Sequence, residues 1–158
     1  MEEHHKTSFA AVDVGNALRI VRPKLGSEAP IAVFRLLRLV VLEDLFGPAA
    51  AAQAYLAGKK LGGQLGLQSV EQFLDLCRQL KLGEISVEKL NEGFKVDVHE
   101  CITCAGMTPV GRPLCSFEGG LIAGAIGSIL QAKVQARETS CIGGLGNPTC
   151  GFEVKILN

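Results

Sequence analysis

Between Cys115 and Cys150 the chain sets three cysteines and a glutamate, Cys115, Glu138, Cys141 and Cys150, at the breaks between a helix, a strand, a glycine-rich loop and a second strand. Four such residues suffice for one zinc ion, because Zn²⁺ takes thiolate, imidazole and carboxylate ligands in a tetrahedron and a structural site fills all four positions. A closed site of this kind would staple the three elements together. The alternation of the flanking strands supports it. Val134 and Ala136 share a parity with Glu138, and Phe152, Val154 and Ile156 share one with Cys150, so both candidate ligands tend inward. An inward carboxylate among apolar side chains is costly unless it is paired or bound to metal.

A second concentration of ligand types, His99-Glu100-Cys101-Ile102-Thr103-Cys104, lies upstream. A CxxC is a familiar half of a zinc site, so Cys101, Cys104, Cys141 and Cys150 form a four-cysteine alternative. A redox role for the pair is disfavoured. That chemistry wants the first cysteine at a helix amino terminus, whereas Gly106 and Pro109 follow the pair here. His99 has the parity of a solvent face. Cys77 lies on an apolar helical stripe and is expected in the core.

The six cysteines gain weight from the rest of the chain. The amino terminus has neither the basic nor the apolar part of a signal peptide, and the longest apolar run, Ile31 to Leu42, carries Arg35 and Arg38. A cytoplasmic protein without membrane insertion is expected, and in a reducing compartment cysteines point to metal before disulfides. Sixteen basic and sixteen acidic residues leave no net charge and give no sign of a nucleic-acid surface. The 158 residues suit one domain. It is assigned to residues 31–158, behind a poorly defined amino-terminal segment, residues 1–30. In that segment Ala10, Val12 and Val14 alternate weakly like an edge strand, and Pro23 to Pro30 reads as a loop.

From Ile31 to Phe46 the sequence is apolar on nearly every side, with Arg35, Arg38, Glu43 and Asp44 left to meet water. Such a helix is buried, and partial cover by a second copy in a homodimer is expected. Gly47-Pro48 breaks it, and an alanine-rich helix runs from Ala49 to about Gly62. Ser69 and Gln72 form a capping box for a third helix that stops at Gly83. A hairpin follows, with Ile85 and Val87 in one strand and Phe94, Val96 and Val98 in the other. The helix from near Pro113 carries Leu114, Phe117, Leu121, Ile122, Ala125, Ile126, Ile129 and Leu130 on one face, yet also Gly119, Gly120, Gly124 and Gly127. Each interior glycine costs about 0.5–1 kcal/mol against alanine. Either another backbone packs closely there or room is left for a ligand.

The runs PLCSFEGGLIAG and RETSCIGGLGNPTCGFEV make the chain resemble the 4-vinyl reductase domain family, closely in its second half and loosely in its first through AYLAGKKLGGQLG. Members resemble it in having a Cys before a glycine-rich helix, a Glu-x-x-Cys after the next strand and a final Cys ahead of a strand. The resemblance implies an α+β fold, with helices packed on an antiparallel β-sheet, like the ligand-binding domain shared by nitric-oxide signalling and Golgi transport proteins. It also implies that Cys115, Glu138, Cys141 and Cys150 match the zinc ligands of phenol-responsive sensory domains. The chain lacks tryptophan, and has no histidine between His5 and His99, where those sensors use both to hold phenol, which argues against phenol as the ligand.

The expected function is a small-molecule binding or sensing domain with a structural zinc. Its ligand is apolar, aromatic or tetrapyrrole-like, and its output passes to a signalling partner. The pocket is expected between the glycine-bearing helix and the hairpin, lined by Tyr55, Leu56, Phe94, Val96, Val98, Phe117, Gly120 and Gly124. Two alternatives are a tetrapyrrole-pathway accessory protein or reductase, and a scaffold like the vesicle-tethering subunits. No phosphate loop, GxGxxG after a strand, GxSxG or HExxH is present, which leaves an enzyme without a recognisable cofactor or catalytic motif.

Overall fold

Proline and glycine punctuation divides the chain much as its sequence implies. The computed structural model describes residues 12–157. Helix α1 (Val14–Ala17) is a single turn capped by Asp13, whose carboxylate accepts the Asn16 N–H at 2.7 Å. The edge strand expected over Ala10, Val12 and Val14 is therefore not formed at Val14, because a local aspartate cap satisfies the backbone instead; Ala10 lies outside the described residues.

The apolar stretch is one helical segment in three parts: α2 (Ile31–Arg35), a π-helical turn (Leu36–Val41) and α3 (Leu42–Phe46). A short 3₁₀ turn over Gly47–Ala49, with Pro48 in it, redirects the chain into α4 (Ala50–Gln64). Ser69 caps α5 (Val70–Gln79) by accepting the Gln72 N–H at 3.2 Å, while the Gln72 side chain reaches back to the Gln68 N–H at 2.8 Å. Strands β1 (Glu84–Leu90) and β2 (Gly93–His99) make the hairpin. Helix α6 (Ser116–Leu130), strand β3 (Lys133–Ser140), the one-turn helix α7 (Ile142–Leu145) and strand β4 (Cys150–Leu157) follow. The sheet is antiparallel in the order β1-β2-β4-β3.

Helix α6 lies between the sheet and α4, so it is buried from Glu118 through Ile126 rather than along a single face. Its glycines explain how it fits. A Cβ on Gly120 would stand 2.0 Å from the Tyr55 carbonyl oxygen, and one on Gly124 would stand 2.1 Å from that of Lys59. The relation is mutual. Gly58 and Gly62 of α4 would strike the carbonyl oxygens of Phe117 and Leu121 at 2.1 and 2.3 Å. The two backbones touch along this seam, and the helix-propensity cost of the glycines is the cost of that approach.

The cavity expected between α6 and the hairpin is accordingly filled. Val96 and Val98 are core residues beside Phe152 and Ile122, and Phe94 packs against the same core. Tyr55 is half-buried, with its hydroxyl accepting the Ala136 N–H at 3.1 Å, and Leu56 faces outward. Of the expected pocket residues, Phe117 lines a separate cavity, toward the α2–α3 segment.

Candidate metal centre and apolar cavity

The sequence separates the two cysteine groups, but the fold joins them. Past the end of β2 the chain turns at Glu100 and makes a tight loop in which the Cys104 and Ala105 N–H groups donate to the Cys101 carbonyl at 3.2 and 2.9 Å. Cys115 is at the amino end of α6, Cys141 at that of α7 and Cys150 at the start of β4. Among the described residues two overlapping sets are placed to hold a metal ion: Cys101, Cys104, Cys115 and Cys150, and Cys115, Glu138, Cys141 and Cys150. The expected three-cysteine, one-glutamate set is brought together, whereas the expected four-cysteine alternative, Cys101, Cys104, Cys141 and Cys150, forms with Cys115 in place of Cys141; the two sets share Cys115 and Cys150.

Glu138 and Cys141 are three residues apart, a spacing that would put them on opposite faces of a regular strand. A register shift against β4 between Glu138 and Ser140 breaks that parity, so both reach the cluster. The Glu138 carboxylate accepts the Cys115 N–H, at 3.2 Å through one oxygen and 3.0 Å through the other. Burial first, and then the Cys141 thiol, push the Glu138 carboxyl up to about 9, against the pull of the Cys115 N–H. The thiols are unequal. Hydrogen bonding with Cys104 first, then with Cys115 and Cys150, holds Cys101 well below its ordinary value, while hydrogen bonding with Cys101 first, then with Cys104, Cys141 and Cys150, pushes Cys115 up. Thiolates are the metal-binding form of cysteine.

The sulfur spacing fits a single ion. Cys104 Sγ is 3.4 Å from Cys115 Sγ, 3.8 Å from Cys141 Sγ and 3.3 Å from Cys150 Sγ, and Cys115 Sγ is 3.8 and 3.6 Å from the last two. A tetrahedron of sulfurs about 2.3 Å from zinc has edges of about 3.8 Å. Gly143 and Gly144 let α7 close over the site, since a Cβ on the first would meet the carbonyl oxygen of Cys104 at 2.5 Å and one on the second that of Arg112 at 2.1 Å. Asn147 fixes the loop by accepting the Cys141 N–H at 2.9 Å.

Two arginines expected to meet water do something else. Arg35 donates to the carbonyls of Ile102 at 2.7 Å and Ala105 at 2.9 Å, tying α2 to the Cys101–Cys104 loop. Arg38, in the π-helical turn, is buried and donates to the Leu114 carbonyl at 3.2 Å, next to Cys115. Glu118 is also buried; burial raises its carboxyl, and Thr103 donates to one of its oxygens. The signal for Arg35 and Arg38 was their presence inside an apolar run; Glu118 stood among glycines without one. His99 is exposed, and Cys77 is buried in the core away from the cluster. Burial pushes the Cys77 thiol up to about 12.

A cavity of about 360 Å³ opens between the α2–α3 segment and α4. Phe34, Leu42, Phe46, Ala54, Ala57 and Phe117 make most of its wall, and Arg38 is its charged residue.

The model of the 4-vinyl reductase domain family matches residues 94–156, the stretch from β2 to β4 that carries every cluster residue. Uncharacterized protein MJ1642 of Methanocaldococcus jannaschii is 34% identical over 135 residues, covering 85% of this chain and 83% of its own. The chain belongs to the 4-vinyl reductase domain family. Uncharacterized protein MJ0150 of the same organism is 35% identical over 139 residues, covering 84% of this family member and 79% of its own length. Among solved structures, a vinyl-4-reductase family protein from Methanocaldococcus jannaschii matches with a TM-score of 0.68 at 20% identity, over 85% of this chain and 86% of that one. The phenol-responsive sensory domain of the transcription activator PoxR, solved with phenol, matches with a TM-score of 0.63 at 15% identity, over 81% and 75%. A trafficking protein particle complex subunit 3 from Naegleria fowleri, covalently bound to palmitic acid, matches with a TM-score of 0.58 at 14% identity, over 81% and 95%. At these identities the likeness is one of fold: this 4-vinyl reductase domain is an α+β structure of helices on an antiparallel sheet, as its sequence implied. Among the described residues no helix is long and apolar enough to cross a membrane.

Proposed function

We propose that this 4-vinyl reductase domain binds an apolar or aromatic small molecule in the cavity between the α2–α3 segment and α4, as a sensing module stabilised by one structural zinc ion. The observation that carries the reading is the cavity itself. Its volume of about 360 Å³ falls within the usual range for ligand sites, and its wall is mostly phenylalanine, leucine and alanine with one charged residue. The phenol-bound sensory domain with the same fold supports it. The zinc is held by Cys104, Cys115, Cys141 and Cys150, since the Cys104 and Cys115 sulfurs lie 3.4 Å apart and each is 3.3–3.8 Å from those of Cys141 and Cys150, with Glu138 orienting Cys115 through its backbone. A metal in four protein ligands has no open position, so it fastens the Cys101–Cys104 loop, α6, α7 and β4 together and takes no part in chemistry. Native mass spectrometry of the purified chain tests both halves. One zinc per chain and a retained apolar compound are expected; a metal-free, ligand-free chain that binds neither when offered them refutes the reading.

A homodimer is part of the proposal. Val33, Leu36, Leu37, Val40 and Val41 form a continuous exposed stripe at helical spacing, each with 46% or more of its surface open. A second copy of the chain covers this stripe, and with it the mouth of the cavity at Leu37.

A further inference from the structure

The cavity has one charged feature, and none of the described residues satisfies it fully. Arg38 is 5% exposed and lines the wall, yet its Nε–H is buried without a hydrogen-bond partner. Its other contacts leave the charge poorly matched. One terminal nitrogen donates to the neutral Leu114 carbonyl at 3.2 Å, and the other lies 3.9 Å from Glu43, a carboxylate that Arg112 already engages more closely. Glu118 feels the Arg38 charge but does not complete the set: one of its oxygens takes the Thr103 hydroxyl and the other is buried without a partner. The cavity wall, apart from Arg38 and the exposed Gln53, is apolar, so a polar head group entering it has one charged residue to meet. A buried guanidinium with an unfilled donor is costly, so its retention points to a partner that arrives from outside.

The backbone around Arg38 leads to the same place. Arg38 is the third residue of the π-helical turn Leu36–Val41, a conformation that is rare in helices and concentrated at functional sites. The turn interrupts an otherwise α-helical segment where it passes the cavity.

We propose that the ligand of this cavity is an amphiphile with an apolar or aromatic body and one carboxylate, and that Arg38 is the residue that selects the carboxylate. The proposal rests on the reading of the cavity as the ligand site and adds the chemistry of the occupant. Phe34, Phe46 and Phe117 surround the body, and the Arg38 guanidinium donates a charge-assisted hydrogen bond to the head. The volume of about 360 Å³ lies near the small end of ligand sites, which suits a short aryl or alkyl acid.

Phenylbutyrate and its uncharged counterpart phenylbutanol test this by titration calorimetry on the full metal-loaded chain at neutral pH. Phenylbutyrate is expected to bind about tenfold or more tightly than phenylbutanol, the ratio that one charged hydrogen bond provides. Arg38→Met is expected to bring the two affinities together while zinc content stays unchanged. Should Arg38→Met fail to fold, the Arg38 Nε–H proton resonance of the unaltered chain decides: it shifts with phenylbutyrate and stays still with phenylbutanol. Equal affinities in the unaltered chain, or a resonance indifferent to phenylbutyrate, overturn the carboxylate inference and leave the cavity reading in place. Binding of both probes that persists in Ala57→Leu, which narrows the cavity from α4 without touching Arg38, overturns both. So does binding of neither probe.

Discussion

Cys104 Sγ lies 3.3 Å from Cys150 Sγ across 46 residues of sequence, closer than either sits to Cys115. The pair joins the loop after the hairpin to the last strand. The spacing is compatible with a metal ion between them, and on the proposed reading Cys104 supplies the fourth ligand.

Metal analysis of two variants checks that choice. Glu138→Gln should keep one zinc per chain, because the amide oxygen still accepts the Cys115 N–H. Cys104→Ser should lose most of the metal and lower the melting temperature by about 5–10 °C, the effect of about 2–3 kcal/mol on a chain of this size. The opposite pattern would return the fourth position to Glu138.

The α4–α6 seam gives a stability prediction. Gly124→Leu removes a helix glycine, worth up to about 1 kcal/mol, but drives a Cβ to 2.1 Å from the Lys59 oxygen. Overpacking against backbone costs roughly 1–3 kcal/mol and often more. Urea denaturation should therefore show net destabilisation or failure to fold; a variant as stable as the parent would mean that the helices can separate there.

Val40→Glu addresses the exposed stripe. Val40 is 58% exposed, so a charge there should leave the fold of one chain unaffected and abolish self-association. Light scattering at micromolar concentration should report a dimer for the parent and a monomer for the variant. A parent that is monomeric at that concentration would refute the dimer.

Cys77 predicts a pH dependence. Burial raises its thiol from about 9 to about 12, so the folded chain prefers the neutral form. A raised group stabilises fully below its unfolded value and loses that contribution as pH rises through the folded one. The stability difference between the parent and Cys77→Ala should hold steady below pH 9 and shrink between about pH 9 and 12. Denaturation of both at several pH values measures it, and a difference that grows with pH would contradict the assignment.

Much of the architecture was present in local pattern. The Ser69 cap, the hairpin and the parity of Val134, Ala136, Phe152 and Val154 are set by near neighbours, and each forms as its sequence implies. The cysteine positions likewise pointed to a metal centre, because ligand chemistry belongs to residue type.

What the sequence left open depended on contacts between distant segments. Glycines 120 and 124 read equally well as space or as close approach, and the Tyr55 and Lys59 carbonyls of α4 decided for approach. The cavity lies instead between α4, Phe117 of α6 and a helix whose apolar surface exceeded one face. Arg38 looked like a residue for water, and became buried because the π-helical turn and the Leu114 carbonyl receive it. The two cysteine groups were separate in sequence and became one cluster, since only the antiparallel pairing of β2 with β4 and the register shift near Thr139 bring Cys104, Glu138 and Cys141 together. Local sequence sets the conformation of a segment and the chemistry of its side chains. Which side chains share a site depends on how the segments pack.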